Sequence, residues 1–386
     1  MKITHYFCKM RLEGGGPVRG VLDLTAAMQR RGHEVRLVTT DDTDVPDDWK
    51  QSNDEWPSVQ RIAAPALGGS LFAPTQRAML CEAFAGSDVV HIHGVWTPSN
   101  TQVARVCRRL GMPYLWSLRG TLDDWCMGER GWKKRLFLAL GARAALENAA
   151  CCHATAEDER RQSHKWFPKG RCTVIPNLLD LSAYADLPGP EEAQATFHQF
   201  QADRPVALFL SRLHYKKGIP LVIDAMDQLR AEGVDVTLLL AGSGDPTYEQ
   251  ELTRLIASRN LDDRVSLIGF VSGSRKLSLY QAADLFVLPT SQENFGFVLF
   301  ESLACGTPLV TTKGVDTWPE LEASGGAVIV ETDAAQLADA MKRLLDDPDR
   351  LKTMGQAGKA WVNGFLDPDS LAARFEAMYE QAFTGS

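Results

Sequence analysis

The stretch VRGVLDLTAAMQRRGHEVRLVT, residues 18–39, decides the fold class of this chain. Its first part, 18–31, has the composition of a helix, and Gly32 follows at a position where helices commonly end. Its second part, 33–39, is a short run of aliphatic and β-branched residues that predicts a buried strand. Because another strand precedes the helix, the three elements form a βαβ unit, whose two strands lie parallel in one sheet.

The alternation of short apolar runs and helix-like segments continues along the chain. In the first half, further strands are predicted at 88–93, 114–118, 151–155 and 172–175, with helices at 101–109 and 133–148 between them. In the second half, strands are predicted at 206–210, 236–241, 265–268, 285–288, 309–311 and 327–330. We therefore predict an α/β fold of two Rossmann-like domains, each a doubly wound parallel sheet covered by helices.

A domain boundary is predicted in the segment LPGPEE, residues 187–192, which is acidic, rich in helix breakers and free of apolar periodicity. It separates a first domain, 1–186, from a second domain, 187–367. A length of 386 residues agrees with two domains. Ligands of such sheets bind at the carboxyl ends of the strands, so two domains face to face are expected to form a cleft.

Composition excludes several classes of protein. The formal net charge is −8 and no basic domain stands out, so we expect no nucleic-acid partner. The apolar runs are far shorter than the roughly 18 residues of a membrane span. The first residues leave no room for the apolar stretch of a secretory signal, and the 8 cysteines form no Cys-x-x-Cys pair. We expect a cytoplasmic protein with reduced thiols.

The strongest local signal is LPTSQENFGFVLFESLACGTP, residues 288–308. A strand ends, a polar turn carries Glu293, and a helix is predicted from Phe297. Backbone amides at the start of such a helix suit a phosphate, and carboxylates there suit sugar hydroxyl groups. Taken alone, Glu293 and Glu301 also fit two solvated glutamates, since charged residues are mostly exposed.

Two more segments follow predicted strands. In SRLHYKKG, residues 211–218, Arg212 and Lys217 are cations of the kind that bind a diphosphate, although the same residues also fit a solvated surface. The glycines of 14–16 permit a backbone to approach a pyrophosphate, or simply form a tight turn. Their spacing is not Gly-x-Gly-x-x-Gly and no P-loop lysine follows, which disfavours NAD and ATP.

Together these segments resemble the retaining family 4 glycosyltransferases of GT-B fold. The Glu-x7-Glu signature of that family is matched by Glu293 and Glu301, and its Ser-Arg-Leu-x-x-x-Lys-Gly box by 211–218. The glycine-rich first loop is matched by 14–16. A bacterial subgroup that makes cell-surface polysaccharides is also similar, through the segments VHIHGVW at 90–96, SLRG at 117–120 and HATAE at 153–157.

The resemblance implies a role for each matching residue. Arg212 and Lys217 would hold the donor diphosphate, Glu293 the donor sugar, and His93 would contact that sugar. His91 should face the same side of its strand; we favour His93 because it lies nearest the carboxyl end. The residues implied to bind the donor are Gly14, Gly15, Gly16, Gly242, Gly244, Phe270, Val271, Asn294, Phe295, Gly296, Phe297 and Glu301.

The reaction implied is transfer of a hexose from a UDP- or GDP-sugar to a hydroxyl group of a glycan or lipid-linked acceptor, in exopolysaccharide, O-antigen or capsule synthesis. It requires no metal and no cofactor, because fixed cations and helix amides stabilise the leaving diphosphate. The sequence Asp42-Thr43-Asp44 spells a metal-binding Asp-x-Asp, but we interpret it as surface in an acidic loop. As in the family, the segment 368–386 is expected to return as a helix to the first domain.

The acceptor side is predicted at Arg119, Asp123, Asp124 and Trp125, since Arg119 follows a strand. Nearby, the segment 130–140 mixes four cations with large apolar residues. It fits a helix that lies on an anionic membrane at the inner face, and it also fits a domain helix with one buried stripe and a basic outer edge.

Three alternatives remain open. A sugar phosphorylase of GT-B-like fold would use inorganic phosphate in place of a nucleotide, and a nucleotide-sugar epimerase would change the donor without an acceptor. A binding protein that has lost catalysis is disfavoured because Arg212, Lys217, Glu293 and Glu301 are all present.

Overall fold

The computed structural model describes residues 1–51, 55–64, 71–201 and 204–385. The chain forms two compact units, Met1–Leu179 with Pro368–Ser386 (unit 1) and Asp180–Asp367 (unit 2). The passage between them precedes the breaker-rich segment at 187–192. The short turn Ser182–Tyr184 already belongs to unit 2, and its Tyr184 side chain is buried.

Unit 1 contains a seven-stranded parallel sheet of order β3-β2-β1-β4-β5-β6-β7. Its strands are β1 Lys2–Tyr6, β2 Glu34–Thr39, β3 Ser58–Arg61, β4 Val89–His93, β5 Tyr114–Ser117, β6 Cys151–Ala154 and β7 Cys172–Val174. The strand β3 is not among the predicted strands, because its sequence SVQR contains one aliphatic residue. This strand is the edge of the sheet, where half-exposed side chains give little apolar signal.

The helices of unit 1 before the boundary are α1 Gly16–Arg30, α2 Pro74–Phe84, α3 Pro98–Arg109, α4 Asp124–Gly128, α5 Gly131–Phe137, α6 Arg143–Glu147 and α7 Glu157–His164. The single helix predicted at 133–148 is wrong. A wide turn, Leu138–Ala142, separates α5 from α6, because Gly141 adopts a φ of 123°, which no α-helix accommodates.

Unit 2 contains a six-stranded parallel sheet of order β10-β9-β8-β11-β12-β13. Its strands are β8 Val206–Leu210, β9 Thr237–Ala241, β10 Val265–Gly269, β11 Leu285–Leu288, β12 Leu309–Thr312 and β13 Ala327–Val330. Its helices are α8 Glu191–Thr196, α9 Ile219–Ala231, α10 Pro246–Ser258, α11 Gly273–Ala282, α12 Phe297–Ala304, α13 Trp318–Ala323, α14 Ala334–Leu345 and α15 Pro348–Phe365.

The central strands of both sheets are buried on both faces. In β8 and β11, the sequences VALFL and LFVL are fully buried, as expected for parallel strands covered by helices. The predicted α/β fold with two Rossmann-like parallel sheets is therefore confirmed.

The last helix, α16 Pro368–Thr384, belongs to unit 1. Tyr379 and Phe375 of this helix are buried, and their rings lie against histidines of the sheet. Arg374 donates a hydrogen bond to the Val174 carbonyl oxygen at the end of β7. In the described part of the chain, no helix has the length and apolar character needed to cross a bilayer.

Candidate active site

The carboxyl edge of the unit 2 sheet brings together the loops that follow β8 and β11. The Ser291 amide donates to the Lys216 carbonyl oxygen (2.8 Å), and the Thr290 hydroxyl group donates to the same oxygen (3.0 Å). Gly218, with a φ of 70°, opens α9 in the left-handed region. A Cβ atom there would overlap with the Pro289 carbonyl oxygen, so only glycine permits the two loops to meet.

The loop after β9 joins the same edge through two glycines. Any Cβ atom at Gly242 would overlap with the Ser211 carbonyl oxygen, and one at Gly244 with the carbonyl oxygen of Leu213. The Leu213 amide in turn donates to the Ser243 carbonyl oxygen (2.9 Å). The backbones of the predicted motifs 211–218 and 242–244 therefore pack directly against each other.

Two predicted residues of this edge contact each other directly. Lys217 and Glu293 form an ion pair between side chains that are both largely buried. The neighbouring Lys216 ammonium donates to the Gln292 side-chain oxygen (3.2 Å). The cation and the carboxylate that the sequence predicts for the diphosphate and the sugar thus lie at contact distance, and their roles in binding stay predictions.

Arg212 lies on the same loop and contributes to a positive field. The pKa of His214 is lowered, first by its partial burial and then by the charges of Arg212, Lys216 and Lys217. A cluster of this sign attracts an anion such as a diphosphate.

The helix predicted after the motif is α12, which begins at Phe297 after Gly296, a residue with a φ of 72°. Phe295 is buried and stacks on Phe300 with ring centroids 4.5 Å apart, which fixes the turn. The Asn294 side-chain amide donates to an Asp316 carboxylate oxygen (3.1 Å), and the Glu293 amide donates to the Gly314 carbonyl oxygen (2.8 Å). The loop after β12 therefore supports the helix start.

Glu301, the second glutamate of the signature, is almost completely buried. One of its carboxylate oxygens accepts hydrogen bonds from the Lys276 ammonium (3.0 Å) and the Tyr280 hydroxyl group (3.3 Å). Burial and the Glu301 charge raise the pKa of Tyr280. The alternative of a solvated glutamate is wrong for Glu301. Phe270, in contrast, is 75% exposed, while Val271 beside it is buried.

Four histidines line one face of the unit 1 sheet. His5 of β1 is paired in register with His91 of β4, and Ser117 of β5 with His153 of β6. His91 and His93 are two residues apart on β4, so both rings face the same side, with centroids 4.2 Å apart. All four histidines are buried.

Hydrogen bonds assign the protons of these rings. Burial and the Arg119 charge lower the pKa of His153 to about 3, so it is neutral at pH 7. Its Nε2 donates to the Ile175 carbonyl oxygen (2.8 Å), which leaves Nδ1 to accept from the Ser117 hydroxyl group (2.7 Å). That hydroxyl oxygen accepts from Nε2 of His91 (2.7 Å), and Nδ1 of His91 accepts from the Tyr379 hydroxyl group (2.8 Å).

The hydrogen bond from Arg119 determines in the same way which ring nitrogen of His93 carries the proton. The Arg119 guanidinium donates to Nδ1 of His93 (3.5 Å), so Nε2 of His93 carries the proton and donates to Nδ1 of His5 (3.1 Å). Both ring nitrogens of His93 are thus engaged within unit 1. Its contact with the donor sugar stays a prediction, and it requires one of these hydrogen bonds to open.

The nitrogens of His5, His91 and His93 lie within 4.8 Å of one another, a spacing that could hold a metal ion. The Arg119 guanidinium beside His93 disfavours a cation there, and burial lowers the pKa of Arg119 only to about 10, so it stays charged. We interpret the cluster as a hydrogen-bonded core.

The four predicted acceptor residues differ in their burial and in their hydrogen-bond partners. Arg119 is buried, has a φ of 60°, and donates to the Asn177 side-chain oxygen. Asp123 caps α4 by accepting from the Cys126 amide (2.5 Å), whereas Asp124 forms an ion pair with Lys165. Trp125 is half-buried. Arg119 therefore joins the histidine cluster, and Asp123 and Asp124 have structural partners.

The remaining predicted segments lie at the start of unit 1. Gly15, with a φ of 82°, precedes α1, and the short turn Leu12–Gly14 precedes Gly15. In the acidic loop, Asp42 pairs with Arg61 (3.6 Å), and Asp44 accepts from the Leu12 amide (2.7 Å). The two carboxylates of the Asp-x-Asp sequence are therefore held by separate partners.

Sequence reasoning missed three residues of these sites. Lys276 pairs with Glu301 and Asp316 binds Asn294, but the partners are 25 and 22 residues apart, respectively, and lie on different elements. Glu159 is buried and accepts from the amides of Gly120 and Thr155, both at 2.6 Å. It lies two residues after Glu157, the last residue of the segment 153–157, so its own position gave no signal.

Comparison with known proteins assigns the family. A family model described as glycosyl transferase 4-like domain matches residues 15–178, and one described as glycosyl transferases group 1 matches residues 191–361. The chain is a family-4-type glycosyltransferase. The predicted resemblance to family 4 glycosyltransferases is thereby confirmed, and with it the transfer of a sugar from a nucleotide sugar.

Individual relatives agree with this glycosyltransferase family. The D-inositol 3-phosphate glycosyltransferase of Xylanimonas cellulosilytica is 26% identical over 395 aligned positions, which cover 96% of this chain and 92% of that protein. Sucrose-phosphate synthase from Thermosynechococcus elongatus superposes with a TM-score of 0.78 at 24% identity over 100% of both chains. Anabaena HepE, solved in complex with UDP, gives 0.79 at 21% identity over 99% and 100%. The two structures show the shared GT-B fold.

Proposed function

We propose that this glycosyltransferase moves a hexose, with retention of configuration, from a UDP- or GDP-sugar to a hydroxyl group of a glycan or lipid-linked acceptor in cell-surface polysaccharide synthesis. The observation that carries the proposal is the Lys217–Glu293 ion pair at the carboxyl edge of the unit 2 sheet. Its two members match, respectively, a group that binds a diphosphate and one that binds a sugar.

The charges of the reaction explain this arrangement. When the bond between the anomeric carbon and the diphosphate oxygen breaks, positive charge develops on the sugar and negative charge on the leaving group. Arg212 and Lys217 stabilise the leaving diphosphate, and the Glu293 carboxylate faces the sugar. In the retaining route that we favour, the acceptor hydroxyl oxygen attacks from the leaving-group side, and a phosphate oxygen takes its proton.

No metal is needed in this proposal, because side-chain cations stabilise the leaving group. Asp42 pairs with Arg61 in unit 1, so the Asp42→Ala variant should keep its activity. Addition of EDTA should leave the rate of the unmodified enzyme unchanged. Loss of activity on addition of EDTA, restored by a divalent cation, would assign a metal to the reaction.

The first test is a thermal-shift screen of the full chain against UDP, GDP, ADP, dTDP, CMP and NAD, since a ligand of the native state raises the melting temperature. We expect a shift with one nucleoside diphosphate. A shift with NAD alone, or with none of the six, would contradict a nucleotide-sugar site.

The second test is substitution at the ion pair. Lys217→Ala and Arg212→Ala should each lower turnover at least about a hundredfold, as loss of one preorganised charge does elsewhere. Lys216→Ala is the matched control: it removes the same charge from the same loop, where Lys216 bonds Gln292, and should cost far less. Near-normal activity of Lys217→Ala would contradict the diphosphate assignment.

A phosphorylated polyol is the second candidate acceptor, and the D-inositol 3-phosphate glycosyltransferase relative favours it because the alignment covers 96% of this chain. Mass spectrometry of reactions with inositol phosphate or with lipid-linked glycans distinguishes the two classes. A sugar 1-phosphate formed from inorganic phosphate would indicate the phosphorylase alternative, and a changed donor without acceptor the epimerase.

We also place the reaction in the cytoplasm. All eight cysteines are free thiols, as in proteins of reducing compartments.

A further inference from the structure

The segment 130–143 of unit 1 presents a row of large apolar side chains to solvent. Trp132, Leu136 and Leu140 follow one another at intervals of four residues, along α5 and the wide turn after it. They are exposed to 68%, 51% and 71%, respectively. Residues four apart lie on the same side of a helix, so Trp132 and Leu136 share one face of α5, and Leu140 follows them in the wide turn; we call these three side chains the apolar stripe.

The opposite side of the segment already holds it on unit 1. Leu138 is buried, and the Phe137 ring lies 5.7 Å from that of Trp96. The Lys134 ammonium lies over the Trp96 ring and donates to the Cys126 carbonyl oxygen. The exposed stripe is therefore not needed for attachment of the helix to its own domain.

The stripe is flanked by positive charge. The segment contains Arg130, Lys133, Lys134, Arg135 and Arg143 and no acidic residue, although the whole chain has a net charge of −8. Lys133 lies over the Trp132 ring (5.5 Å) and Arg135 over the Trp166 ring (5.9 Å), so both cations are held beside the stripe. An apolar face with basic flanks and a tryptophan is the pattern of helices that bind at membrane interfaces.

We propose that the segment 130–143 docks unit 1 onto a bilayer that contains anionic lipids, with Trp132, Leu136 and Leu140 inserted at the level of the headgroups. In this proposal the two interpretations of the segment are compatible, because Leu138 and Ala142 of the wide turn are buried against unit 1 while the exposed stripe faces the membrane. The docking goes beyond sugar transfer and would place the enzyme where lipid-linked acceptors lie.

Charge argues for a bilayer over a second copy of the chain. In a symmetric dimer the same patch faces itself, so the cations of the two segments would oppose one another. Anionic headgroups instead attract these cations. Every one or two cations that approach the surface raise the affinity for the bilayer about tenfold.

The experiment is co-sedimentation of the full chain with vesicles of phosphatidylcholine alone or of equal parts phosphatidylcholine and phosphatidylglycerol. We expect binding to the anionic vesicles that weakens with added salt. The double variant Trp132→Ser, Leu136→Ser should lose it. Leu12→Ser and Phe383→Ser, which remove apolar side chains of similar exposure elsewhere on unit 1, are matched controls and should bind normally.

Substitutions of cations test whether positive charge contributes to membrane binding. Lys133→Gln with Arg135→Gln should weaken binding to anionic vesicles about tenfold or more. Arg350→Gln with Lys352→Gln, which removes two exposed cations of unit 2, should leave it unchanged.

Insertion can be read directly from fluorescence quenching by brominated lipids. The Trp132→Phe variant keeps an apolar ring, so it should still bind, but it should lose most of the quenching. No binding to anionic vesicles at low salt, equal binding by the double variant, or a dimer that the double variant dissociates would each overturn the proposal. Because none of these measurements depends on turnover, their failure is distinct from failure of the proposed transferase function.

Discussion

The Tyr379 hydroxyl group of α16 donates a hydrogen bond to Nδ1 of His91 on β4, across a separation of 288 positions in the sequence. Through His91 the bond continues to Ser117, His153 and the Ile175 carbonyl oxygen, each step between 2.7 and 2.8 Å. A continuous chain of hydrogen bonds thus connects α16 to the strands of unit 1, in addition to the apolar contacts of this helix.

Tyr379→Phe should destabilise unit 1. The substitution keeps the buried ring but leaves Nδ1 of His91 without a donor, which costs about 1 to 3 kcal/mol for a buried acceptor. The free energy of unfolding in urea measures the loss. Tyr248→Phe is the control, because the Tyr248 hydroxyl group has no hydrogen-bond partner within the described residues, so its removal should be neutral or slightly stabilising. Equal effects of the two substitutions would contradict the assigned hydrogen bond from Tyr379 to His91.

Unit 1 should lose stability in mild acid. Burial, followed by the Arg119 charge, lowers the pKa of His5 to about 3, and burial lowers those of His91 and His93 well below their usual value. In the unfolded chain these groups titrate near 6.5. As the pH falls below that value, the unfolded state binds protons that the folded state does not bind, so the free energy of unfolding decreases.

Each buried histidine contributes a slope of about 1.4 kcal/mol per pH unit once the unfolded chain is protonated. Urea unfolding from about pH 8 to about pH 5 measures the total slope. His5→Asn should reduce this slope by about 1.4 kcal/mol per pH unit, the contribution of one buried histidine. A stability that is flat below the unfolded pKa would show that the folded cluster accepts protons.

Patterns of short range predicted most of the fold. The apolar runs of β8, β11 and β13 marked those strands to the residue, and α12 begins at the predicted Phe297. Contacts between distant elements were not predictable, because no local pattern places Lys276 beside Glu301 or Tyr379 beside His91. The four histidines gave no metal-ligand spacing in the sequence, yet the strand register gathers them on one face.

Lys276 should matter more to stability than its place on the surface of α11 suggests. It pairs with the buried Glu301, so Lys276→Met removes the cation that balances a buried carboxylate, at a cost of about 3 kcal/mol. Lys313→Met is the matched control. Lys313 pairs with Glu331, but both side chains are about half exposed, so its loss should cost far less than the loss of Lys276. Similar losses in chemical denaturation would show that Glu301 is solvated after all.

Gly218→Ala should disrupt the candidate site through the backbone. A methyl group at Gly218, whose φ is 70°, overlaps with the Pro289 carbonyl oxygen, so the loops that carry Lys217 and Glu293 must separate. Gly233→Ala is an unusually close control: Gly233 has a φ of 76° in the same unit, but nothing lies within 4 Å of its added carbon. Left-handed strain alone costs about 1 to 2 kcal/mol.

We therefore expect Gly233→Ala to lose about that much stability and to keep its nucleotide-induced thermal shift. Gly218→Ala should lose more stability, and its thermal shift with the preferred nucleoside diphosphate should disappear, because Lys217 no longer meets Glu293. If both variants kept the full shift, the contact between the two loops would have no part in binding the diphosphate.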